Sequence, residues 1–247
     1  MVITRPGQAA AALAAALAAE GARAIVFPTL EIRPVPSTPA REAALDLLPA
    51  CPLAIFVSAN AVEHGLAAAR ARGPWPAATR VAGIGEATAE RLRNSGFPEV
   101  ISPAERFDSE SLLALPELQA VEGRNIIVFR GEGGRERLKE ALEARGARVT
   151  YAECYRRERP RSDPREVAAA LEKGEVQAVS ALSAESLVNF VALLDEAARA
   201  RLSGVALAVP HAAIGDHPEA RRFGRLLVTA PGSRGLADAL ATLRQTP

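Results

Sequence analysis

Short apolar runs alternate with longer amphipathic stretches along most of the chain. The runs predict β-strands, and the apolar spacing between most of them predicts helices of roughly 8–17 residues. The predicted strands cover residues 2–5, 24–28, 53–57, 80–84, 99–102, 125–129, 148–154, 176–180, 205–209 and 226–229. Strands that alternate with helices are joined by right-handed crossovers and form parallel sheets. The pattern therefore predicts an α/β fold.

The first half of the chain is similar to the second half at an offset of 125 residues. Aligned pairs include Arg5 with Arg130, Gly21-Ala22-Arg23 with Gly146-Ala147-Arg148, and Ser58-Ala59 with Ser183-Ala184. Each copy opens with a β-branched strand and an arginine beside a turn, followed by an amphipathic helix that stops at a glycine. Two copies of one unit predict two similar parallel-sheet domains with five strands each.

Two long segments interrupt the alternation of strands and helices. The first, near residues 27–39, is extended and rich in proline, and the second, near residues 148–164, is extended and charged. Because proline is poorly tolerated in central strands, we expect connectors at about 28–39 and 150–163. If both cross between domains, residues 37–150 form a continuous domain, and residues 1–34 plus 160–247 form a discontinuous one.

Composition and charge argue against several classes of protein. The formal net charge is +1 and no basic run is interleaved with aromatic residues, so we expect no nucleic-acid partner. The longest apolar stretch, residues 9–19, is far shorter than the ~20 residues that span a membrane, and no basic segment precedes it. Cys51 and Cys154 have no CxxC spacing and fit a reducing compartment. We therefore expect a cytoplasmic protein without a membrane partner.

Serine follows a predicted strand at equivalent places in the two copies. Ser58, Ala59 and Asn60 follow one strand, and Ser183 and Ala184 follow its counterpart. Ligands of open parallel sheets bind beyond the carboxyl ends of the strands, where helix N-termini attract anions. These residues are therefore candidate contacts for an anionic ligand. The alternative is that each serine caps the helix that follows it and does not contact a ligand.

A glycine turn follows the predicted strand at 80–84. Gly83, Gly85 and Thr88 partly match a dinucleotide-binding fingerprint, but the third glycine is missing and no acidic residue clearly ends the next strand. Backbone N–H groups that bind an anion fit this turn better than a nicotinamide or flavin site. Gly215 is its cruder counterpart in the second copy.

Other sequence signatures of catalysis are missing. The turn at Arg130 and Gly131 has no P-loop lysine, and His64, His211 and His217 have no metal-ligand spacing. The sequence also has no GxSxG or HExxH motif. We therefore expect neither a metal nor an organic cofactor.

Several short motifs, taken in order, resemble the uroporphyrinogen-III synthase family. They are Thr4-Arg5-Pro6, Val57-Ser58-Ala59-Asn60-Ala61-Val62, Ile84-Gly85-Glu86-Ala87-Thr88-Ala89, Phe107-Asp108-Ser109-Glu110, Arg130-Gly131-Glu132-Gly133-Gly134-Arg135 and Tyr151-Ala152-Glu153-Cys154-Tyr155-Arg156-Arg157. Each motif is degenerate, but their order and spacing cover nearly the whole chain. The second half departs from the family pattern, since Leu182 stands where a threonine is common and the IGxxTA pattern is not repeated at Ile214.

The resemblance implies two flavodoxin-like domains and an enzymatic activity. In that activity the linear tetrapyrrole hydroxymethylbilane is cyclised, with inversion of its terminal ring, to uroporphyrinogen III and water. No cofactor is implied, because the electron-rich pyrrole itself assists loss of the hydroxyl group and gives an azafulvene cation. Tyr155 matches the family's leading candidate for a catalytic group. The alternative is that Tyr155 has no catalytic role and packs between the domains. Arg5 and Arg130 would lie near substrate carboxylates or form structural salt bridges.

Together these arguments predict one catalytic residue, Tyr155, and a set of substrate contacts. The predicted contacts are Arg5, Ser58, Ala59, Asn60, Gly85, Thr88, Arg130, Gly131, Ser183, Ala184 and Gly215. We expect a monomer that makes transient contact with hydroxymethylbilane synthase. Two other interpretations stay open: a non-catalytic two-domain ligand-binding module, and a two-domain glycosyltransferase, for which no nucleotide-sugar site is visible.

Overall fold

The computed structural model describes residues 1–105, 108–134, 136–230 and 234–239. The strands are β1 (Val2–Ile3), β2 (Ile25–Val26), β3 (Glu31–Pro34), β4 (Leu53–Phe56), β5 (Arg80–Gly83), β6 (Val100–Ile101), β7 (Asn125–Gly131), β8 (Arg148–Glu158), β9 (Ala178–Ser180), β10 (Ala206–Val209) and β11 (Arg225–Val228). The α-helices are α1 (Gln8–Ala19), α2 (Pro39–Asp46), α3 (Ala59–Arg70), α4 (Glu86–Asn94), α5 (Ser109–Leu113), α6 (Arg137–Glu143), α7 (Arg165–Glu172), α8 (Ala184–Leu193) and α9 (Glu196–Ala200). Every predicted strand range overlaps a strand, and helices alternate with most of the strands, so the predicted α/β fold is confirmed.

The chain divides into two compact units. Unit 1 consists of Met1–Glu31 and Glu158–Pro247, and unit 2 consists of Ile32–Arg157. Each unit has its own sheet, and buried apolar clusters within each unit stabilise it. The units are therefore described separately.

The sheet of unit 1 has the order β11-β10-β9-β1-β2, and all its strand pairs are parallel. Helix α1 packs Leu13 and Leu17 in one buried cluster, and α8 packs Leu187 and Phe190 in another. Strands covered on both faces are apolar on both faces, which explains the short uninterrupted apolar runs in the sequence.

The sheet of unit 2 has the order β3-β8-β7-β4-β5-β6. The pairs from β8 to β6 are parallel. All four residues of β4 are buried. Helix α3 packs on one side, with Val62 and Leu66 in a cluster that includes Phe56, and α6 packs Leu138 and Leu142 in a second cluster.

The weak sequence repeat has a direct counterpart in the two sheets. An offset close to 125 residues relates β1 and β2 to β7 and β8, and β4, β5 and β6 to β9, β10 and β11. When equivalent strands of the two sheets are given the same number, both sheets have the strand order of a flavodoxin-like domain. In such a sheet the strand order reverses between two central strands, here between β1 and β9 in unit 1 and between β7 and β4 in unit 2.

The two segments expected to be connectors differ from the prediction. Residues 31–34 form strand β3, and the charged segment after residue 148 continues as strand β8 to Glu158. The N–H of Val35 donates to the carbonyl of Cys154 at 3.1 Å, next to the β3–β8 pair. Because β3 lies at the edge of the sheet, its proline is tolerated. The prediction of five strands in each sheet is therefore wrong for unit 2, which has six.

Candidate functional site

The loops after β7 and β4 diverge at the point where the strand order of unit 2 reverses. The chain after β4 enters α3 and the chain after β7 leads to α6, and these helices contribute to different apolar clusters. This divergence leaves a crevice beyond the carboxyl ends of the strands, which is where open α/β sheets bind ligands.

A cavity of about 480 Å³ occupies this crevice. Its lining combines apolar strand ends, a glycine-rich loop and groups of both charges. The lining residues are Val57, Ile84, Asp108, Ser109, Glu110, Val128, Arg130, Gly131, Glu132, Gly133, Gly134, Arg137, Leu138, Tyr151, Tyr155 and Arg157. A concave site with convergent polar groups is the strongest candidate for ligand binding in this unit.

Ser58 ends the extended chain after β4 and begins α3. Its Oγ accepts a hydrogen bond from the N–H of Ala61 at 3.1 Å, as a helix-capping serine does. The same Oγ lies 2.9 Å from the hydroxyl oxygen of Tyr155. Ala59 and Asn60, which follow it, are half-buried in the first turn of the helix. The structure thus brings together the predicted catalytic residue and one predicted substrate contact.

Tyr155 reaches Ser58 because strand β8 is irregular. The β7–β8 register pairs Arg130 with Glu153 but Gly131 with Tyr155, so one residue of β8 is skipped. Such bulges redirect side chains and are common next to active sites. Tyr155 consequently joins the same buried cluster as Cys154, its neighbour in the chain.

Gly131 lets the ring of Tyr155 approach the backbone of β7. A Cβ atom at position 131 would lie 2.8 Å from both Cε2 and Cζ of Tyr155. A side chain there would therefore collide with the ring. The structure gives Gly131 a contact with Tyr155, in addition to its place in the cavity lining.

Arg130 is buried, with 3% of its surface exposed, and its guanidinium is surrounded by protein groups. Its Nη1 donates to Glu136 at 2.9 Å, and its Cζ lies 4.2 Å from the centre of the Tyr151 ring. The hydrogen bond from Arg130 lowers the pKa of Glu136 below its ordinary value of 4.5. A Cβ at Gly134 would lie 2.5 Å from Nη2 of Arg130. Glu136 therefore already pairs with the guanidinium of Arg130, a residue that also lines the cavity.

Tyr151 and the two cysteines have raised pKa values. Burial raises the pKa of the Tyr151 phenol to about 12 and that of the Cys154 thiol to about 12. Burial also raises the pKa of Cys51. All three groups are therefore protonated at neutral pH, and the thiols are poor nucleophiles there.

The glycine turn after β5 presents a backbone rather than side chains. Gly85 is half-buried and begins α4 without a side-chain cap. Thr88 is buried, and its methyl group would lie 3.2 Å from a Cβ at Gly83. The Thr88 side chain therefore packs inside the protein, and the Thr88 N–H donates to the carbonyl of Gly85 at 3.0 Å.

Unit 1 has the equivalent crevice between β1 and β9, where buried hydroxyl groups meet. Thr4 Oγ1 donates to the carbonyl of Ser180 at 2.6 Å. Ser186 Oγ lies 2.9 Å from Thr4 Oγ1 and 2.8 Å from Thr29 Oγ1. These hydroxyl groups join β1, β9, α8 and the chain after β2. Thr29 and Ser186 could not be identified from the sequence, because the two residues are 157 positions apart in the chain.

The remaining predicted contacts lie around this second crevice and its neighbouring loop. Ser183 Oγ accepts from the N–H of Ser186 at 3.1 Å and caps α8, whose first residue is Ala184. Arg5 is half-buried just beyond β1. Gly215 lies after a 3-10 helix that follows β10, and a Cβ there would collide with Leu226. Gly215 therefore supports packing against β11, whereas Arg5 and Ser183 lie at strand ends.

Two predicted motifs extend beyond the described part of the chain, since Phe107 and Arg135 lie outside it. Among the residues that are described, no cluster of three or more His, Cys, Asp or Glu side chains is arranged to hold a metal ion. Within those same residues, no helix has the length and apolar character needed to cross a membrane.

The chain is similar in sequence to several uroporphyrinogen-III synthases. A family model described as uroporphyrinogen-III synthase HemD matches residues 11–229. The uroporphyrinogen-III synthase of Escherichia coli is 33% identical over 197 residues, which are 79% of this chain and 80% of that protein. The Synechococcus elongatus enzyme of the same name is 32% identical over 216 residues, 84% of this chain and 81% of that one. The Salmonella typhimurium enzyme is 41% identical over 159 residues, so the match spans 64% of each protein, just under two thirds.

Solved structures support the same fold. A mutant uroporphyrinogen III synthase from Thermus thermophilus matches with a TM-score of 0.62 and 21% identity, covering 99% of both chains. The Helicobacter pylori enzyme matches with a TM-score of 0.63 and 13% identity over 98% of both chains. The sequence matches show that the chain belongs to the uroporphyrinogen-III synthase family, whose members are enzymes of tetrapyrrole biosynthesis.

Proposed function

We propose that this protein converts hydroxymethylbilane into uroporphyrinogen III and water, inverting the terminal pyrrole ring as it closes the macrocycle. Membership of the family supports this reaction. The observation that carries the proposal for this chain is the position of Tyr155, which lines the cavity at the strand-order reversal of unit 2 and whose hydroxyl oxygen lies 2.9 Å from Ser58 Oγ. A phenol in this place can donate a proton to a bound leaving group.

The first chemical step is loss of the hydroxymethyl hydroxyl group. Tyr155 donates its proton to the hydroxyl oxygen, and the carbon–oxygen bond breaks with its electron pair on oxygen, so water leaves. The pyrrole nitrogen supplies electrons to the carbon and forms an azafulvene cation. The substituted carbon of the terminal ring then attacks the azafulvene carbon and forms a spiro intermediate. The original bond from that ring carbon to its methylene bridge breaks, and the bridge carbon bonds instead to the unsubstituted carbon of the same ring, which inverts the ring and releases a proton. The proton released when the macrocycle becomes uroporphyrinogen III returns to the tyrosinate.

The substrate carries many carboxylates, and the crevices offer them backbone donors. Helix N-termini at α3 and α4 in unit 2, and at α8 in unit 1, begin at Ser58, Gly85 and Ser183. Free N–H groups and the helix dipole attract anions at such ends. The cavity also contains Arg157, an exposed cation that forms no ion pair with any residue the structure describes. The task of the protein is to hold a flexible polycarboxylate in a folded geometry.

We further propose how this activity is organised in the cell. Units 1 and 2 would be the two domains expected from the sequence, 1–34 plus 160–247 and 37–150. The protein would act as a cytoplasmic monomer without a cofactor. Transient contact with hydroxymethylbilane synthase would supply a substrate that otherwise closes spontaneously.

The proposal is tested by incubating the purified protein with freshly prepared hydroxymethylbilane and measuring substrate consumption. Consumption well above the spontaneous rate, without added metal or cofactor, is expected. A ligand-binding module would bind hydroxymethylbilane and leave the rate unchanged. A glycosyltransferase would instead consume a nucleotide sugar and leave hydroxymethylbilane to close spontaneously.

A further inference from the structure

Ser58 and Ser183 occupy equivalent positions in the repeat but have different surroundings. Both cap a helix through the N–H three residues later, at 3.1 Å in each case. Ser58 additionally lies 2.9 Å from the hydroxyl oxygen of Tyr155. Within the described residues, Ser183 has no such tyrosine neighbour. Capping alone therefore does not account for the contacts of Ser58.

The number of protons in the Ser58–Tyr155 pair restricts its arrangement. A serine hydroxyl has one proton to donate and can accept two hydrogen bonds. Ser58 already accepts one from Ala61, which leaves two possibilities. If Ser58 donates to Tyr155, the phenol proton is free for another acceptor. If Tyr155 donates to Ser58, its proton is not available.

The cavity distinguishes these two arrangements. Tyr155 contributes to the cavity lining, whereas Ser58 is not among the described residues that line it. A group bound in the cavity therefore contacts Tyr155 and not Ser58. Only donation from Ser58 to Tyr155 directs a proton toward that group.

We propose that Ser58 is a positioning residue that donates a hydrogen bond to Tyr155 and thereby directs the phenol proton into the cavity. This inference rests on the proposed function, since it needs Tyr155 to protonate the leaving hydroxyl. As Tyr155 gives up its proton, the oxygen of the resulting tyrosinate keeps the hydrogen bond from Ser58. That bond becomes charge-assisted and stabilises the developing negative charge. The leaving hydroxyl and the transferred proton depart as water, and the tyrosinate regains a proton when the macrocycle is completed.

The test is a double-mutant cycle in the full chain, with kcat and KM measured on hydroxymethylbilane. Ser58→Ala is expected to lower kcat about three- to tenfold with KM unchanged, the size expected from one lost hydrogen bond. In the Tyr155→Phe background the same change should have no further effect on kcat, because the group that Ser58 positions is gone. Ser58→Thr keeps the hydroxyl and should restore kcat to within about twofold of the wild-type value.

Two further variants separate positioning from stability. Thr38→Ala removes a helix cap of the same kind, in which Thr38 accepts from the N–H of Arg41 at 3.2 Å, without a contact to Tyr155. It should leave kcat unchanged. Ser58→Gly removes the hydroxyl but keeps a residue favoured at helix N-caps, so it should fold well and lose as much kcat as Ser58→Ala.

Several results would overturn the assignment of Ser58. One is that Ser58→Ala lowers kcat by the same factor in the wild-type and Tyr155→Phe backgrounds. Another is that Ser58→Ala leaves kcat of the otherwise wild-type protein unchanged. A third is that Ser58→Ala changes only KM, which would make Ser58 a substrate contact. If wild-type protein accelerates consumption of hydroxymethylbilane while the cycle is additive, only the role of Ser58 is lost. If wild-type protein gives no acceleration, the proposed function falls and this inference falls with it.

Discussion

The ring of Tyr155 is held by residues from separate strand ends. Gly131, at the end of β7, permits close approach of the ring, and Ser58, after β4, bonds the hydroxyl. The His64 ring lies 5.9 Å from it, tilted by 33°. With 3% of its surface exposed, Tyr155 has little freedom to change rotamer. Its hydroxyl is therefore already in place before substrate binds, which favours catalysis.

Tyr155→Phe tests the hydroxyl while keeping the ring. We expect kcat to fall by about 10²-fold, at the low end for general acid assistance, because the pyrrole already activates the leaving group. The ring packing is preserved, so the melting temperature should change little. Steady-state kinetics on hydroxymethylbilane, with thermal unfolding as the control, measure both. An unchanged kcat in a folded variant would remove Tyr155 from the catalytic role.

Gly131→Ala tests the position of the ring. The added Cβ would lie 2.8 Å from two ring atoms, so the ring must move from its position beside Gly131. We expect a loss of about 1–3 kcal/mol in the free energy of unfolding, as for other overpacked sites. We also expect a fall in kcat similar to that of Tyr155→Phe. Gly204→Ala is the matched control, since a Cβ there meets nothing within 4 Å. Full activity of a stable Gly131→Ala protein would contradict the placement of Tyr155.

The sequence predicts some residues of the site better than others. Ser58 can be found because a strand followed by serine and a helix is a local pattern, and Tyr155 can be found through the family resemblance. The burial of Arg130 could not be predicted, because it depends on Tyr151 and Glu136. Tyr151 is distant in the sequence, and Glu136 is separated from Arg130 by a turn. The contact between Ser58 and Tyr155 could not be predicted either, because it joins residues 97 positions apart.

At the scale of elements, the site depends on an irregularity in β8. Regular alternation would direct Tyr155 to the same face as Tyr151, which packs near Leu138 and Leu142. The register shift directs it to the opposite face, toward α3. Residue types alone do not predict a bulge of this kind. The charged residues near the end of β8 are also not typical of a buried strand, so the full length of β8 was not predicted. Strand β3 is missed for a related reason, since its proline suits only an edge.

Arg130 at the end of β7 pairs with Glu136, the residue before α6, and this ion pair leads to a prediction about how stability depends on pH. The pKa of Glu136 in the folded protein is below its ordinary value of 4.5. The ionised carboxylate therefore stabilises the fold above pH 4.5, and this stabilisation is lost as the pH falls through the folded-state pKa. Glu136→Gln should lower the melting temperature at pH 7, and the difference from wild type should shrink below pH 4.5.

The control for this experiment is Glu172→Gln. Glu172 is exposed and forms no ion pair with a residue in the described part of the chain. Its substitution should leave the melting temperature unchanged at both pH values. If the effect of Glu136→Gln is the same at pH 7 and below pH 4.5, the ion pair does not stabilise the fold.

At the scale of the whole molecule, each unit combines parts of both sequence copies. Unit 1 takes β1 and β2 from the first copy and β9–β11 from the second, and unit 2 takes β4–β6 and then β7 and β8. The repeat could be predicted because it leaves aligned residues at a fixed offset. The sixth strand of unit 2 could not, because β3 has no counterpart in the sheet of unit 1.

Residues 32–157 are expected to fold on their own. They contain both buried clusters of unit 2, and their two ends lie on the neighbouring strands β3 and β8. A domain with its own core unfolds cooperatively. Circular dichroism during heating should show a single transition. A fragment without helical signal or transition would mean that unit 2 depends on unit 1.

Identifying the isomer that forms tests the central claim most directly. Hydroxymethylbilane closes spontaneously to the type I macrocycle, so inversion of the terminal ring requires a protein that prevents the shorter route. The measurement is chromatographic separation of the oxidised products after incubation of hydroxymethylbilane with the wild-type protein. We predict mostly the type III isomer, formed faster than spontaneous closure. Only the type I isomer, at the spontaneous rate, would contradict the proposed function.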